Sequence, residues 1–373
     1  LPAVARSLEQ RLAKPAAAIT NIKQENFSMS FKTILTAATA LALLSGTTLS
    51  GASAAEYTKD KPLKVALVLH GALGDKSFFD SAAAGMKMAE DKLPVKVKII
   101  EAGYQKDRWE PALADAADAG YDVIIAGTFE MTSYVAKMAK DYSDKKFIIF
   151  DDAPDYKTGC CANVLGIQYL TSTAGYLAGY ASAKVSKSGT VGEILGMEFK
   201  TVTDFSVGFD QGAKAAKPDI KILKATANTF SDPAKGKELA LAQLGQGADV
   251  IFPIAGSTGI GALQAVRDAK KLAVGVDSDQ ATIFSATDPA QADVIFTSVE
   301  KKVGQSLYTA LEQTIAGKAP YGTALLLGLK DGAVGISKNK YYEKTVPADV
   351  RAEIDGLEKK IVAGEIAVNT TMK

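Results

Sequence analysis

From residue 64 almost to the end of the chain, short apolar runs alternate with helix-length stretches, and this alternation limits the fold more than any other feature. The first unit is the clearest. Residues 64–69 carry Val65, Leu67 and Leu69 and read as a buried strand; 70–75 hold two glycines; Asp75 and Ser77 offer oxygens to cap a helix running to about Glu90. The spacing then predicts strands at 95–100, 122–126, 146–150 and 164–168, with helices at 107–119, 132–142 and 172–187 between or after them. A second series follows, with strands at 190–195, 220–225, 250–254, 272–276 and 294–299 and helices at 202–216, 233–246, 259–270 and 301–316. Residues 325–329 read as a further strand and 348–363 as a charged amphipathic helix. Strands this apolar need cover on both faces, so each series implies a parallel sheet flanked by helices. Gly175, Gly179 and several alanines in 172–187 suit close helix packing.

The 373 residues are enough for two domains of this kind. Ahead of the first strand, Met29 is followed by Lys32, an apolar run at 34–44 and small residues that provide a cleavage site at 52–54 or 53–55. This is the pattern of a secretory signal peptide, with an apolar region too short to anchor permanently in a membrane. Residues 1–28 read as an upstream extension of the frame, and 1–55 as targeting sequence. The cleavage region lacks cysteine, so no lipid anchor is expected, and the mature protein is expected in the periplasm. Removing 1–55 takes five basic and two acidic residues from totals of 43 and 42, leaving a net charge near −2. Without a basic block, nucleic acid is an unsuitable partner. One histidine and two adjacent cysteines exclude a His/Cys zinc cluster, and neither a metal nor a cofactor is expected.

Two α/β lobes in an exported chain point to a cleft that closes on a small ligand. Sheets of this kind bind at the carboxyl ends of their strands. The loops there carry Asp75, Phe78, Phe79 and Asp80; Phe129 and Glu130; Phe205; Gly256; Asp277 and Asp279; Ser298 and Lys301. This set is rich in aromatics and carboxylates and poor in cations, which suits a planar, hydroxylated, nearly neutral ligand. The blander assignment puts one phenylalanine of the 78–79 pair in the core and leaves Asp75 and Asp80 as helix caps. His70, at the end of the first strand, either belongs to the core or lines the cleft.

Several motifs resemble the basic membrane protein family of ABC-transporter substrate-binding proteins: GDKSF at 74–78, GYASAK at 179–184, FSVGFDQGAK at 205–214, GADVIFPIAGSTG at 247–259, VGVDSDQ at 274–280 and TSVEKKV at 297–303. The resemblance implies a two-lobed type I periplasmic binding fold, a purine-nucleoside ligand and an ABC permease as partner. It also implies that Phe78 and Phe205 are the two faces of an aromatic sandwich around the base. Asp277 and Lys301 would hold the ribose, and Gly256 would bring backbone close to the ligand. The chain departs from the family pattern at Leu69 or His70, where Asp is common, and at Phe79, where Asn is common. Thr132 and Ser133 stand near the family's base-reading carboxylate, and Glu130 lies close enough to substitute.

Rival functions fare worse. GSTGIG at 256–261 matches neither the dinucleotide fingerprint nor the phosphate loop, GxSxG is absent, and any Ser-His-Asp triad would depend on His70 alone, so no enzyme is expected. A LacI-type regulator would need a DNA-binding segment where the signal peptide stands. A ligand-binding sensor for a membrane receptor, or a binder of another nucleobase or sugar-like ligand, stays open as an alternative. Asp151-Asp152 reads as a solvated strand end. Cys160-Cys161 reads as two thiols in a loop, a vicinal disulfide being the lesser option. The chain is expected to cross between lobes near 166–172, 297–301 and 319–326. That assigns 60–166 with 299–320 to lobe 1 and 167–298 with 321–373 to lobe 2.

Overall fold

A computed structural model describes residues 57–372. The expected signal segment, 29–55, and the extension before it lie outside the described residues. The first lobe opens with β1 (Leu63–Leu69), α1 (Phe78–Lys92), β2 (Val95–Glu101), α2 (Trp109–Asp118), β3 (Val123–Gly127), α3 (Phe129–Asp141), β4 (Lys146–Phe150) and β5 (Val164–Tyr169). The second contains α4 (Thr171–Val185), β6 (Thr190–Leu195), α5 (Lys200–Ala216), β7 (Lys221–Thr226), α6 (Pro233–Gly245), β8 (Val250–Ile254), α7 (Gly256–Asp268), β9 (Leu272–Asp277), α8 (Gln280–Ser285), α9 (Pro289–Val294) and β10 (Ile295–Lys301). The chain then returns through α10 (Val303–Ile315) and β11 (Thr323–Leu327), and ends in β12 (Val334–Ile336), α11 (Lys340–Thr345) and α12 (Ala348–Val362).

The strands form two sheets of six, ordered β11-β5-β4-β3-β1-β2 and β12-β10-β9-β8-β6-β7. Every pairing is parallel except β10 with β12. β1, β3, β6 and β8 are buried almost throughout, as strands covered on both faces must be. The chain passes between sheets after β5, after β10 and between β11 and β12. The last passage differs from expectation: the sequence places 321–327 in lobe 2, but β11 pairs in register with β5, from Thr323 beside Leu165 to Leu327 beside Tyr169. An edge strand that is exposed or half-buried throughout carries no sequence mark of which sheet it joins. β12 and the short helices α8, α9 and α11 are too brief to show periodicity, and sequence reading passed over them.

Helices α4 and α5 meet backbone to backbone. A Cβ on Gly179 would lie 2.0 Å from the Phe209 carbonyl oxygen, and one on Gly208 would lie 1.9 Å from that of Ser172. The small residues of α4 therefore serve close packing, as their pattern implied. In the β4–β5 connection, Cys160 and Cys161 are joined as a vicinal disulfide, against the expectation of two thiols; Cys161 takes a left-handed backbone, φ +72°. No helix among the described residues is long and apolar enough to cross a membrane.

Candidate functional site

The carboxyl ends of strands from both sheets converge on a cavity of about 390 Å³, within the usual range for small-molecule sites. Its lining includes ten of the thirteen residues singled out from sequence: His70, Asp75, Phe78, Phe79, Phe129, Glu130, Phe205, Gly256, Asp277 and Lys301. Asp279 and Ser298 are not part of it, and neither is Asp80. Its carboxylate turns back into the β1–α1 loop and accepts from the backbone N–H groups of Gly74 (2.7 Å) and Lys76 (3.0 Å). Asp75 also serves the loop, accepting from the N–H groups of Ser77, Phe79 and Asp80 at 2.8–3.1 Å. It thus satisfies donors that a helix start leaves free, and the Ser77 side chain is released for other work. Burial pushes the Asp75 carboxyl up to about 6, in spite of those three donors.

At the second crossing a buried charged cluster joins the lobes. Lys301 Nζ lies 3.0 Å from Asp151 Oδ1 in the first lobe and 3.3 Å from Asp277 Oδ1 in the second. Burial opposes the charge on Lys301, but the two carboxylates outweigh it and hold the ammonium above its ordinary value. Burial likewise pushes Asp151 up to about 6, with Lys301 acting against it. Asp151 and Asp152 are both buried, not solvated as expected. Asp151 has φ +66° and Asp277 φ +64°, left-handed conformations that non-glycine residues adopt at a cost. Asp277 Oδ2 accepts from Ser77 Oγ across the cleft at 3.0 Å. Its Oδ1, although near Lys301, makes no well-directed hydrogen bond within the protein. A buried carboxylate oxygen in that condition can accept from a ligand hydroxyl.

Aromatic rings form the walls. Phe78 is half-buried, with Lys301 Nζ 4.5 Å from its centroid and Phe150 packed behind it. Phe205, expected as the opposite face, is 1% exposed and lies edge-on to Phe252 inside the buried stripe of α5. It backs Lys301, 5.2 Å from its centroid, and offers little free ring. The half-buried rings that the second lobe presents are Phe199 and Phe230. Phe230 lies against Gly196, where a Cβ would come within 2.2 Å of the ring. Sequence reading passed over both, although each follows a strand, β6 or β7, in the position that drew attention elsewhere. Gly256 opens α7 with φ +52° against the backbone of Phe230.

The remaining polar groups gather in the first lobe. His70 Nε2 is 3.1 Å from Thr128 Oγ1 and 3.5 Å from Glu130 Oε2, with the rings of Phe79 and Trp109 edge-on to the imidazole. His70 therefore lines the cleft while being 6% exposed. Lys106 Nζ lies 3.9 Å from Glu130 Oε1. Trp109 and Lys106 lie beyond the sequence reading, because the loop after β2 carries Gly103 but no paired aromatics to mark it. Among the described residues, no group of three or more His, Cys, Asp or Glu side chains converges on a metal position.

The family model described as "ABC transporter substrate-binding protein PnrA-like" (Bmp) matches residues 63–372. Basic membrane protein A of Borreliella afzelii is 32% identical over 309 residues, covering 82% of this chain and 91% of that one. The ABC transporter nucleoside-binding protein BmpA of Lactococcus lactis subsp. cremoris is 29% identical over 336 residues, covering 86% and 94%. An ABC transporter solute-binding protein from Aeropyrum pernix K1 superimposes with a TM-score of 0.74 at 25% identity, over 84% of this chain and 94% of that one. The family, and the nucleoside-binding and solute-binding relatives among these, are ligand-binding transport proteins, not enzymes.

Proposed function

We propose that this chain, which belongs to the Bmp family of PnrA-like ABC-transporter substrate-binding proteins, captures a purine nucleoside in its cleft and delivers it to a permease. It is a substrate-binding protein of an ABC transporter, a class that acts outside the cytoplasmic membrane. The observation that carries the ligand assignment is the meeting, in one cavity, of aromatic faces from both lobes with the unfilled Asp277 oxygen beside Lys301. In this reading Phe78 stacks on one face of the base, and Phe230 takes the opposite face in place of the buried Phe205. Asp277 accepts from ribose hydroxyls and Lys301 donates to them. Glu130 and His70 stand where the base edge would be, and a carboxylate there favours bases that present N–H groups. A relative named as nucleoside-binding supports the same class of ligand.

The purified protein tests this directly. Mass spectrometry of small molecules released on denaturation is expected to find a purine nucleoside; a sugar or an amino acid in its place overturns the assignment. Export is tested separately. Intact-mass analysis of the protein recovered from its native cells is expected to place the N-terminus near Glu56 without lipid, and a retained 30–50 segment contradicts it.

A further inference from the structure

We propose that Phe129 and Phe199, with Asp152 and Lys200 beside them, form a latch that holds the two lobes closed and sets how long a ligand stays bound. The rings stack across the cleft, 3.6 Å between centroids and 29° between planes. Phe129 is the first residue of α3 in the first lobe, and Phe199 immediately precedes α5 in the second. The next residue, Lys200, places Nζ 3.7 Å from Asp152 Oδ1, and Asp152 Oδ2 accepts from Thr132 Oγ1 one helical turn after Phe129. Two successive residues of one lobe thus meet a ring and a carboxylate of the other.

Both halves are held in position locally. Thr128 takes φ +71°, donates its N–H to the Phe150 carbonyl, and accepts from the Glu130 N–H, which fixes the entry into α3. The Phe199 carbonyl accepts from the Val202 and Thr203 N–H groups and from Thr203 Oγ1, which fixes the entry into α5. The backbone that carries each ring is therefore held by its own lobe, so stacking has mainly the side-chain freedom of the two rings left to fix.

Position separates the ring stack from the other cross-lobe bonds, whereas Asp152, next to Asp151 and bridged to Ile167 of β5, lies nearer the crossings. Asp151–Lys301, Ser77–Asp277, Ser278 Oγ to the Ser77 carbonyl, and Gln280 Nε2 to the Lys76 carbonyl all involve β9, β10 or α8, or the start of α1, which packs on α10 just after the second crossing. Phe199 follows β6, three strands from β10 in the second sheet, or about 14 Å away. Phe129 follows β3, two strands from β5 in the first. A contact set away from the crossings must break whenever the lobes part, whereas bonds beside a hinge persist through small rotations. Both rings also line the cavity, so opening the latch opens the ligand's way out.

Two measurements test this. Hydrogen exchange on the ligand-free protein compares the wild type with Phe129→Ala, Phe199→Ala and Lys200→Ala. Phe199→Ala is expected to speed exchange at the start of α3, and Phe129→Ala at the start of α5, each in the lobe that was not mutated. Unchanged exchange across the cleft overturns the latch whatever the ligand proves to be. Stopped-flow dissociation of inosine, guanosine and adenosine, followed by Trp109 fluorescence, then measures residence time. Each alanine is expected to raise the off-rate about two- to tenfold, and the double variant Phe129→Ala/Phe199→Ala less than the product of the singles. Off-rates equal to wild type, or singles that multiply fully, overturn it. If exchange responds across the cleft and no nucleoside binds, the latch stands and the ligand assignment falls.

Discussion

Replacing Asp277 with asparagine separates the ribose contact from everything else in the cleft. The substitution keeps the size and planarity of the side chain while removing its charge. Three interactions change. Oδ1 loses the charge that would strengthen a bond from a ligand hydroxyl, Lys301 keeps Asp151 at 3.0 Å but loses its second carboxylate, and the bond from Ser77 Oγ weakens. A hydrogen bond to a charged group is worth about 1.5–3 kcal/mol, which corresponds to roughly 10- to 150-fold in affinity. The Ser77 bond spans the lobes, so its loss, about 0.5–1.5 kcal/mol, bears on closure and falls on every ligand alike. Calorimetry with a nucleoside and its free base distinguishes the two effects. Asp277→Asn is expected to weaken inosine by at least tenfold more than it weakens hypoxanthine. If both weaken by the same factor, Asp277 acts only through closure and the ribose role is wrong.

Glu193 is fully buried on β6, where Lys224 of β7 and Ser206 and Asp210 of α5 surround it, and burial pushes its carboxyl up to about 8. A raised carboxyl stabilises the fold fully below its ordinary value of 4.5 and loses that contribution as pH rises through about 8; thermal unfolding from pH 5 to 9 should therefore fall more for the wild type than for Glu193→Gln, and parallel curves would contradict this. Gly208→Ala would set a Cβ 1.9 Å from the Ser172 carbonyl oxygen and force α4 from α5, costing about 3 kcal/mol in urea unfolding. Gly356→Ala, in α12 with nothing within 4 Å, should instead stabilise by about 0.5–1 kcal/mol, and similar effects at the two positions would refute the packing argument. Cys160 and Cys161 should resist alkylation until a reductant is added; labelling without reductant would show two thiols.

The alternation of apolar strands with helices made the two parallel sheets legible, because strands buried on both faces leave a continuous apolar run such as that of β1. The edge strand β11 joins the first sheet rather than the expected second, because a strand that is exposed or half-buried throughout does not specify a partner sheet. Much of the cleft was legible for a general reason: loops at the carboxyl ends of parallel strands converge. Residue chemistry then drew attention to Phe78, Asp277 and Lys301, which the fold brings into one cavity. The same reasoning could not separate a carboxylate that faces a ligand from one that caps backbone, and Asp80 is of the second kind. Nor could it anticipate the depth of a ring on a helix. Phe205 follows the buried periodicity of α5 with Asp204, Gly208 and Phe209, while Phe199 and Phe230 stand in irregular segments where no period marks them. Asp151 and Asp152 looked solvated because charge at a strand end usually is. Only Lys301, 150 residues later in the chain, accounts for the burial of Asp151.

The central claim is that this cleft takes a purine nucleoside. Calorimetric titration of the protein lacking residues 1–55 with guanosine, inosine, adenosine, uridine, adenine and arabinose tests it most directly. The account predicts that at least one purine nucleoside binds more tightly than uridine, free adenine and the sugar. Binding of arabinose with no response to any purine nucleoside would contradict it.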